Sequence, residues 1–270
     1  METFDRHMKA IGVNVYYNAN LITPETLKNF QLLIIPDPSM PIMDNEAKAV
    51  SDWFMAGGRL VLTGDWDSAD LAGRGYINLI LKNLGSVMRL NEDQVWDQKH
   101  KTNKPWGVLA TVLKNDHPAM KGANTIITWG TCSLITRDNQ PLTEAAGVDL
   151  LIKGCPDSIN KDGDKKNDAV LYPKDVPIAI AAEEKLANGL LFLIGCSNFT
   201  DYQYPDSDIN AAKPGPAPFT HETTLFYDQY MAYLLGFSPS QTSPSPSRAK
   251  PASEKPQSTR RKQNTGNDLR

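Results

Sequence analysis

Two uninterrupted apolar runs on either side of a helix-length amphipathic segment constrain this chain more than anything else in it: Leu-Leu-Ile-Ile at 32–35 and Leu-Val-Leu at 60–62. A strand without a polar face must be covered on both sides, which is the condition of neighbouring parallel strands joined by a crossover helix. Between the runs, Asp44, Asn45 and Glu46 open a helix, Ala47, Val50, Trp53 and Phe54 share one of its faces, and Gly57-Gly58 stops it. In sheets of this kind ligands sit beyond the carboxyl ends of the strands. That rule puts Asp37, Ser39, Asp65, Trp66 and Asp67 on the rim of any pocket.

The pattern extends in both directions. Phe4, Met8 and Ile11 recur at helical spacing before Gly12, alternation predicts a strand at 13–17, and Thr23-Pro24-Glu25 predicts a short capped helix. Ile77, Ile80, Leu81 and Leu84 predict a second covering helix, ended by Gly85. Short apolar or alternating runs then predict strands at 108–113, 125–129, 132–136, 148–152, 169–172, 178–182 and 190–194, some extending the sheet and some forming hairpins at its edge. Residues 225–235 predict the last helix. The expected fold class is α/β: a three-layer sandwich with a flavodoxin-like, mostly parallel central sheet and added β-hairpins. The strands ending at Ile35, Leu62 and Ile194 are expected to be central and mutually parallel, gathering Asp37, Asp65 and Asn198, with Ser197, around one concavity.

Composition separates a body from a tail. From 238 onward the chain has repeated Ser-Pro pairs, no aromatic residue, and seven basic against two acidic side chains, a net charge of +5 that leaves −8 on residues 1–237. Such a tail cannot bury enough apolar surface to offset its ordering entropy, so 1–237 is expected to be one domain and 238–270 a disordered basic appendage. An acidic body argues against nucleic-acid binding by the folded part. No apolar run approaches the ~20 residues needed to cross a bilayer, and the opening Met-Glu-Thr-Phe-Asp-Arg lacks the basic-then-apolar order of an export signal, which describes a soluble chain of unspecified compartment. Cys132, Cys155 and Cys196 cannot all pair with one another and form no Cys-x-x-Cys spacing.

Pro36-Asp37-Pro38-Ser39 after a buried strand, Gly57-Gly58-Arg59-Leu60-Val61-Leu62 after an amphipathic helix, and the closing run from Gly189 through Cys196-Ser197-Asn198 together resemble the non-catalytic branch of the glutamine amidotransferase-like superfamily. That branch includes domains of gliding-motility transporter accessory proteins and of an intraflagellar transport subunit. The resemblance spans residues 1–237 and carries fold-marking segments, so it implies architecture rather than activity. Catalytic relatives place a Gly-x-Cys-x-Gly turn where this chain has Gly64-Asp65-Trp66-Asp67-Ser68, so no glutaminase activity is expected. Related domains begin with a strand before the first helix. The resemblance therefore leads one to expect a truncated or misassigned start, with any upstream export signal lost with the missing strand.

Within the rim, the carboxylates of Asp65 and Asp67 beside Trp66 suit hydrogen bonds to sugars or amines, or a cation, against the plainer reading that these residues only shape and cap a strand-to-helix turn. Cys196 follows a buried strand but has no histidine at a recognisable spacing, which describes an inert buried thiol. Asn160, Asp162, Asp164 and Asp168 resemble an oxygen-rich calcium turn, opposed by Lys161, Lys165 and Lys166 and lacking the closing glutamate. No other cofactor is indicated. The reading is a binding or assembly module whose partner is a protein or a small polar ligand. A hydrolase acting on a sugar or amide through Asp65 or Asp67, and a structural subunit that docks a partner, remain the alternatives.

Overall fold

A computed structural model of the chain describes residues 2–66, 71–102, 104–113, 116–197 and 222–237. The first helix, α1 (Glu2–Ala10), ends before Gly12, and α2 (Pro24–Leu27) begins with Thr23, whose hydroxyl accepts from the Thr26 N–H while the Thr26 hydroxyl accepts from the Thr23 N–H. Strand β1 (Leu32–Pro36), helix α3 (Asp44–Met55) and strand β2 (Arg59–Thr63) form the expected crossover unit. The start of α3 is held by the buried Glu46, whose carboxylate accepts from the N–H groups of Met43 and Ile22. Helix α4 (Leu71–Leu84) follows β2.

The remainder is mostly strand: β3 (Met88–Leu90), β4 (Gln94–Trp96), β5 (Gly107–Val112), β6 (Thr125–Trp129), β7 (Leu134–Thr136), β8 (Asp149–Lys153), β9 (Ile159–Lys161), β10 (Ala179–Leu186) and β11 (Gly189–Ile194), before helix α5 (Thr223–Leu234). Seven strands make one sheet in the order β1-β2-β11-β10-β8-β5-β6, while β3-β7 and β4-β9 are small two-stranded sheets. The sheet is parallel across β1, β2 and β11, and antiparallel from β11 to β6, where β10–β11 and β5–β6 pair consecutive strands and β8 lies between β10 and β5.

Strand period decides which side each residue faces. Along β2, Leu60 and Leu62 join one core cluster and Val61 the other; along β11, Leu191 and Leu193 join the first, and Leu190, Phe192 and Ile194 the second. The first cluster is completed by Ala47, Val50 and Phe54 of α3 and Ile77, Ile80 and Leu81 of α4, the second by Phe4 and Met8 of α1 and Phe226, Tyr227 and Tyr230 of α5. The fold is therefore an α/β sandwich with helices over both faces, and this double covering is why 60–62 and 190–194 read as unbroken apolar runs. No helix among the described residues is long and apolar enough to cross a membrane.

Three expectations are corrected. Residues 13–17 form no strand: Val13 and Val15 pack against the core, but the segment takes part in no ladder, so β1 is an edge strand of the described sheet rather than a central one. Residues 169–172 are irregular as well, because the N–H groups of Val170 and Tyr172 donate to the side-chain oxygens of Asn91 and Asn160 instead of to a neighbouring strand. The strands ending at Ile35, Leu62 and Ile194 are parallel neighbours, as expected, but they form one flank of the sheet. The region assigned to a disordered tail, 238–270, lies outside the described residues.

Helix α5 supplies a pH-dependent element of stability. The Tyr230 ring packs 4.3 Å from that of Phe192, and its hydroxyl donates to Glu183 Oε2 at 2.7 Å, with both residues buried. Burial, reinforced by the Glu183 carboxylate, holds the phenol well above its usual pKa. The folded state thus keeps a proton that the unfolded chain releases near pH ~10, so this stabilisation is complete below that pH and declines above it. Urea unfolding across alkaline pH should show a stability decline that is shallower in Tyr230→Phe, and parallel pH profiles for the two proteins would contradict it.

Candidate functional site

The carboxyl ends of β1, β2 and β11 open on one side of the sheet and are tied together by polar groups. Beyond β1, Asp37 lies in left-handed backbone (φ 31°), and its N–H donates to Thr63 Oγ1 at 3.2 Å; the Thr63 hydroxyl donates in turn to Ser197 Oγ at 3.4 Å. Non-glycine residues in that region carry a cost of order 1–3 kcal/mol and concentrate at functional sites. Ser39 is exposed two residues on, and Ser197 is buried. The structure thus brings Asp37 and Ser197 together through Thr63. Asp67 and Asn198, also expected on this rim, lie outside the described residues.

At the end of β2, the Gly64 N–H donates to the Ile194 carbonyl, and Asp65 Oδ1 accepts from the Trp66 N–H at 2.8 Å. The segment after β6 closes against this turn. Gly130 has φ +53°, a backbone conformation that favours glycine, and a Cβ there would stand 2.8 Å from Asp65 Oδ1. The Gly130 N–H also donates to the Trp106 carbonyl at 3.1 Å, drawing the loop between β4 and β5 onto the rim.

That loop completes a tryptophan cluster. Trp66 stacks with Trp106 (6.4 Å between centroids, 18° between planes), and Trp106 meets Trp96 at 6.0 Å and 54°. All three rings are partly exposed. Lys161 Nζ lies 3.9 Å from the centre of the Trp96 ring and Lys104 Nζ 5.4 Å from that of Trp106. Gln94, buried beneath, accepts the Trp96 Nε1 proton at Oε1, while its own Nε2 makes no hydrogen bond among the described residues.

Strand β4, which carries Trp96, is fixed by a buried polar network. Asp93 is fully buried and accepts from the Ser133 N–H (2.7 Å), the Ser133 hydroxyl (2.6 Å) and Asn160 Nδ2 (2.6 Å). Asn160 also donates to the Val170 carbonyl and accepts from the Tyr172 N–H. Its side chain therefore stands apart from the acidic turn with which sequence spacing groups it, because the alternation of β9 turns it inward. Asp162, Asp164 and Asp168 do converge, with one oxygen each lying within 4.8 Å of the others. Asp162 accepts from the N–H groups of Lys165 and Asn167, and Asp164 from the N–H and Nζ of Lys166, so the turn is already organised by its own chain.

A second donor group, Asp97, His100 and Cys155, was not legible from spacing, since the cysteine lies 55 residues beyond the histidine. Trp96 and Trp106 were missed for the same reason. Cys196 is fully buried, in keeping with an inert thiol, and burial pushes the Cys155 thiol up in pKa.

No protein-family model matches the sequence, and no curated protein matches it significantly. Among solved structures, the mmIFT52 N-terminal domain superposes with a TM-score of 0.60 at 16% identity, covering 90% of this chain and 91% of that one. A ThuA-like protein from Bacteroides uniformis gives 0.48 at 16% identity (88% and 86% covered), and a cytoplasmic protein from Salmonella typhimurium 0.47 at 12% (87% and 85%). The first likeness shows a shared fold, which at this identity is all it shows, and the other two carry no weight.

Proposed function

We propose that this chain is a non-catalytic binding module of the amidotransferase-like type, and that it takes a polar ring-shaped ligand, a saccharide, against the tryptophans at the rim. The observation that carries the reading is the run of Trp66, Trp106 and Trp96 beside the Asp65 carboxylate. Partly exposed aromatic faces next to hydrogen-bonding groups suit the alternating apolar faces and hydroxyl edges of a sugar. The strained Asp37 and the buried Gln94 donor support it. No thiol follows β2, so amide hydrolysis of the glutaminase kind has no nucleophile there.

Titration with a panel of oligosaccharides, followed by intrinsic tryptophan fluorescence, tests this. Trp106→Ala removes the ring shared by both contacts and should weaken binding about tenfold or more, equivalent to ~1.4 kcal/mol. Equal affinity in wild type and variant would contradict the reading. Release of a cleaved product during the titration would favour the hydrolase acting through Asp65 or Asp67. An assembly role is the second reading, favoured by the exposed Tyr16, Leu21, Phe30, Met40 and Met43 in the segments flanking edge strand β1.

A further inference from the structure

The geometry points to a zinc site formed by Asp97, His100 and Cys155, distinct from the sugar-binding rim. One donor atom from each residue lies within 4.8 Å of the other two. Thiolate, imidazole and carboxylate together form a donor set that suits zinc, whereas calcium and magnesium call for oxygen alone.

Local chain geometry builds the arrangement. Asp97 follows β4 and is fully buried, and its N–H donates to the Pro105 carbonyl at 2.8 Å. Its Oδ1 accepts from the N–H groups of Lys99 (2.7 Å) and His100 (2.6 Å), so the Asp-x-x-His turn folds the imidazole back over its own carboxylate, with Nδ1 3.6 Å from Oδ2. The His100 carbonyl accepts from the Leu109 N–H, which fastens the turn to β5. Cys155 arrives from the turn after β8. That turn is closed by the Ser158 N–H donating to the Cys155 carbonyl, and it is joined to Asp97 by the Ser158 hydroxyl, which donates to Oδ2 at 2.8 Å. The thiol donates to the Leu109 carbonyl at 3.1 Å, so the histidine and the cysteine converge on the same residue of β5.

The Thr111 hydroxyl also lies 3.6 Å from the Cys155 sulfur. Bond lengths of about 2.0–2.3 Å to a tetrahedral zinc require donors roughly 3.3–3.8 Å apart, and the 3.6 Å between His100 Nδ1 and Asp97 Oδ2 already falls in that range. On binding, the thiol gives its proton to solvent, and zinc takes the sulfur, one imidazole nitrogen and one carboxylate oxygen. The imidazole side chain is 46% exposed, which leaves an approach for the ion and for a water as fourth ligand. Of the lysines that flank His100, Lys99 is paired with Asp157 at 3.0 Å and Lys101 Nζ donates to Gln98 Oε1. Zinc here would staple the loop that carries Trp106 to the β8 turn.

The test is titration of the metal-stripped full chain with Co²⁺ and then Zn²⁺. Expected are a single cobalt ion per chain with thiolate-to-cobalt charge-transfer absorption, its displacement by zinc, and protection of Cys155 from alkylation. Cys155→Ser should abolish the absorption and weaken zinc at least tenfold, and His100→Ala, at a half-exposed position, should weaken it comparably while circular dichroism confirms folding. Asp162→Asn combined with Asp164→Asn should change neither. The proposal is overturned if wild type lacks the thiolate band, if the band survives in Cys155→Ser, or if the acidic-turn variant is the one that loses the metal.

Discussion

Replacing Gly195 with alanine should lower stability by about 3 kcal/mol or more, at the upper end of what overpacking costs. Gly195 follows β11, where a Cβ would stand 1.9 Å from the Cys132 carbonyl oxygen and 3.0 Å from Thr131 Oγ1. Neither side can withdraw cheaply: the Gly195 N–H donates to the Ile180 carbonyl, and its own carbonyl accepts from the Cys132 N–H, both at 2.9 Å. Accommodating one methyl group must therefore break a backbone bond that holds the 130–133 segment against the end of the parallel strands. For a chain of this size the loss corresponds to a melting temperature lower by roughly 6–12 °C. Gly75→Ala is the contrast, since Gly75 lies inside α4 with nothing within 4 Å of a Cβ, and alanine there should be neutral or stabilising by up to about 1 kcal/mol. Equal melting temperatures for the two variants would contradict the packing described at Gly195.

Asp93→Ala should be about as costly, at roughly 3–5 kcal/mol, for an electrostatic reason. The substitution strips the acceptor from a backbone N–H, a hydroxyl and an amide, all in the interior, and each stranded donor costs about 1–3 kcal/mol. Asp93→Asn keeps the shape and one acceptor oxygen but turns an amide toward existing donors, so it should fall between alanine and wild type. The network anchors both β4, which carries Trp96, and β9, which carries Lys161. Ligand binding at the rim should weaken with stability in these variants, whereas Trp106→Ala should weaken binding alone. Denaturant unfolding of the three proteins checks the order, and an Asp93→Ala variant within about 1 kcal/mol of wild type would contradict it.

The parts of the fold visible in the sequence were those in which one element's period was matched by burial. The runs at 60–62 and 190–194 read as strands because helices cover both faces, and α3 read as a helix because Ala47, Val50 and Phe54 all reach one core cluster. Alternation misled at 13–17: two partly buried valines need only a surface to pack on, and a strand needs a hydrogen-bonded neighbour. The apolar residues 169–172 misled similarly, because asparagine side chains take the place of a ladder. Strands β3, β4 and β9, at three residues each, are too short to display a period. The rim positions of Asp37 and Asp65 followed from topology alone. Trp96 and Trp106 reach Trp66 through loop closure, which no local spacing encodes, although four of the five tryptophans fall between 66 and 129.

Whether the rim binds a saccharide is answered most directly by the indole N–H signals of the five tryptophans in a ¹H–¹⁵N spectrum recorded during an oligosaccharide titration. Trp53 serves as the internal reference, because its Nε1 donates to the Phe30 carbonyl on the α3 side of the sheet. The account predicts that the signals of Trp66, Trp96 and Trp106 shift together and saturably while that of Trp53 stays in place. A titration in which Trp53 moves and the three rim tryptophans do not, or in which no saccharide of the panel moves any of them, would contradict it.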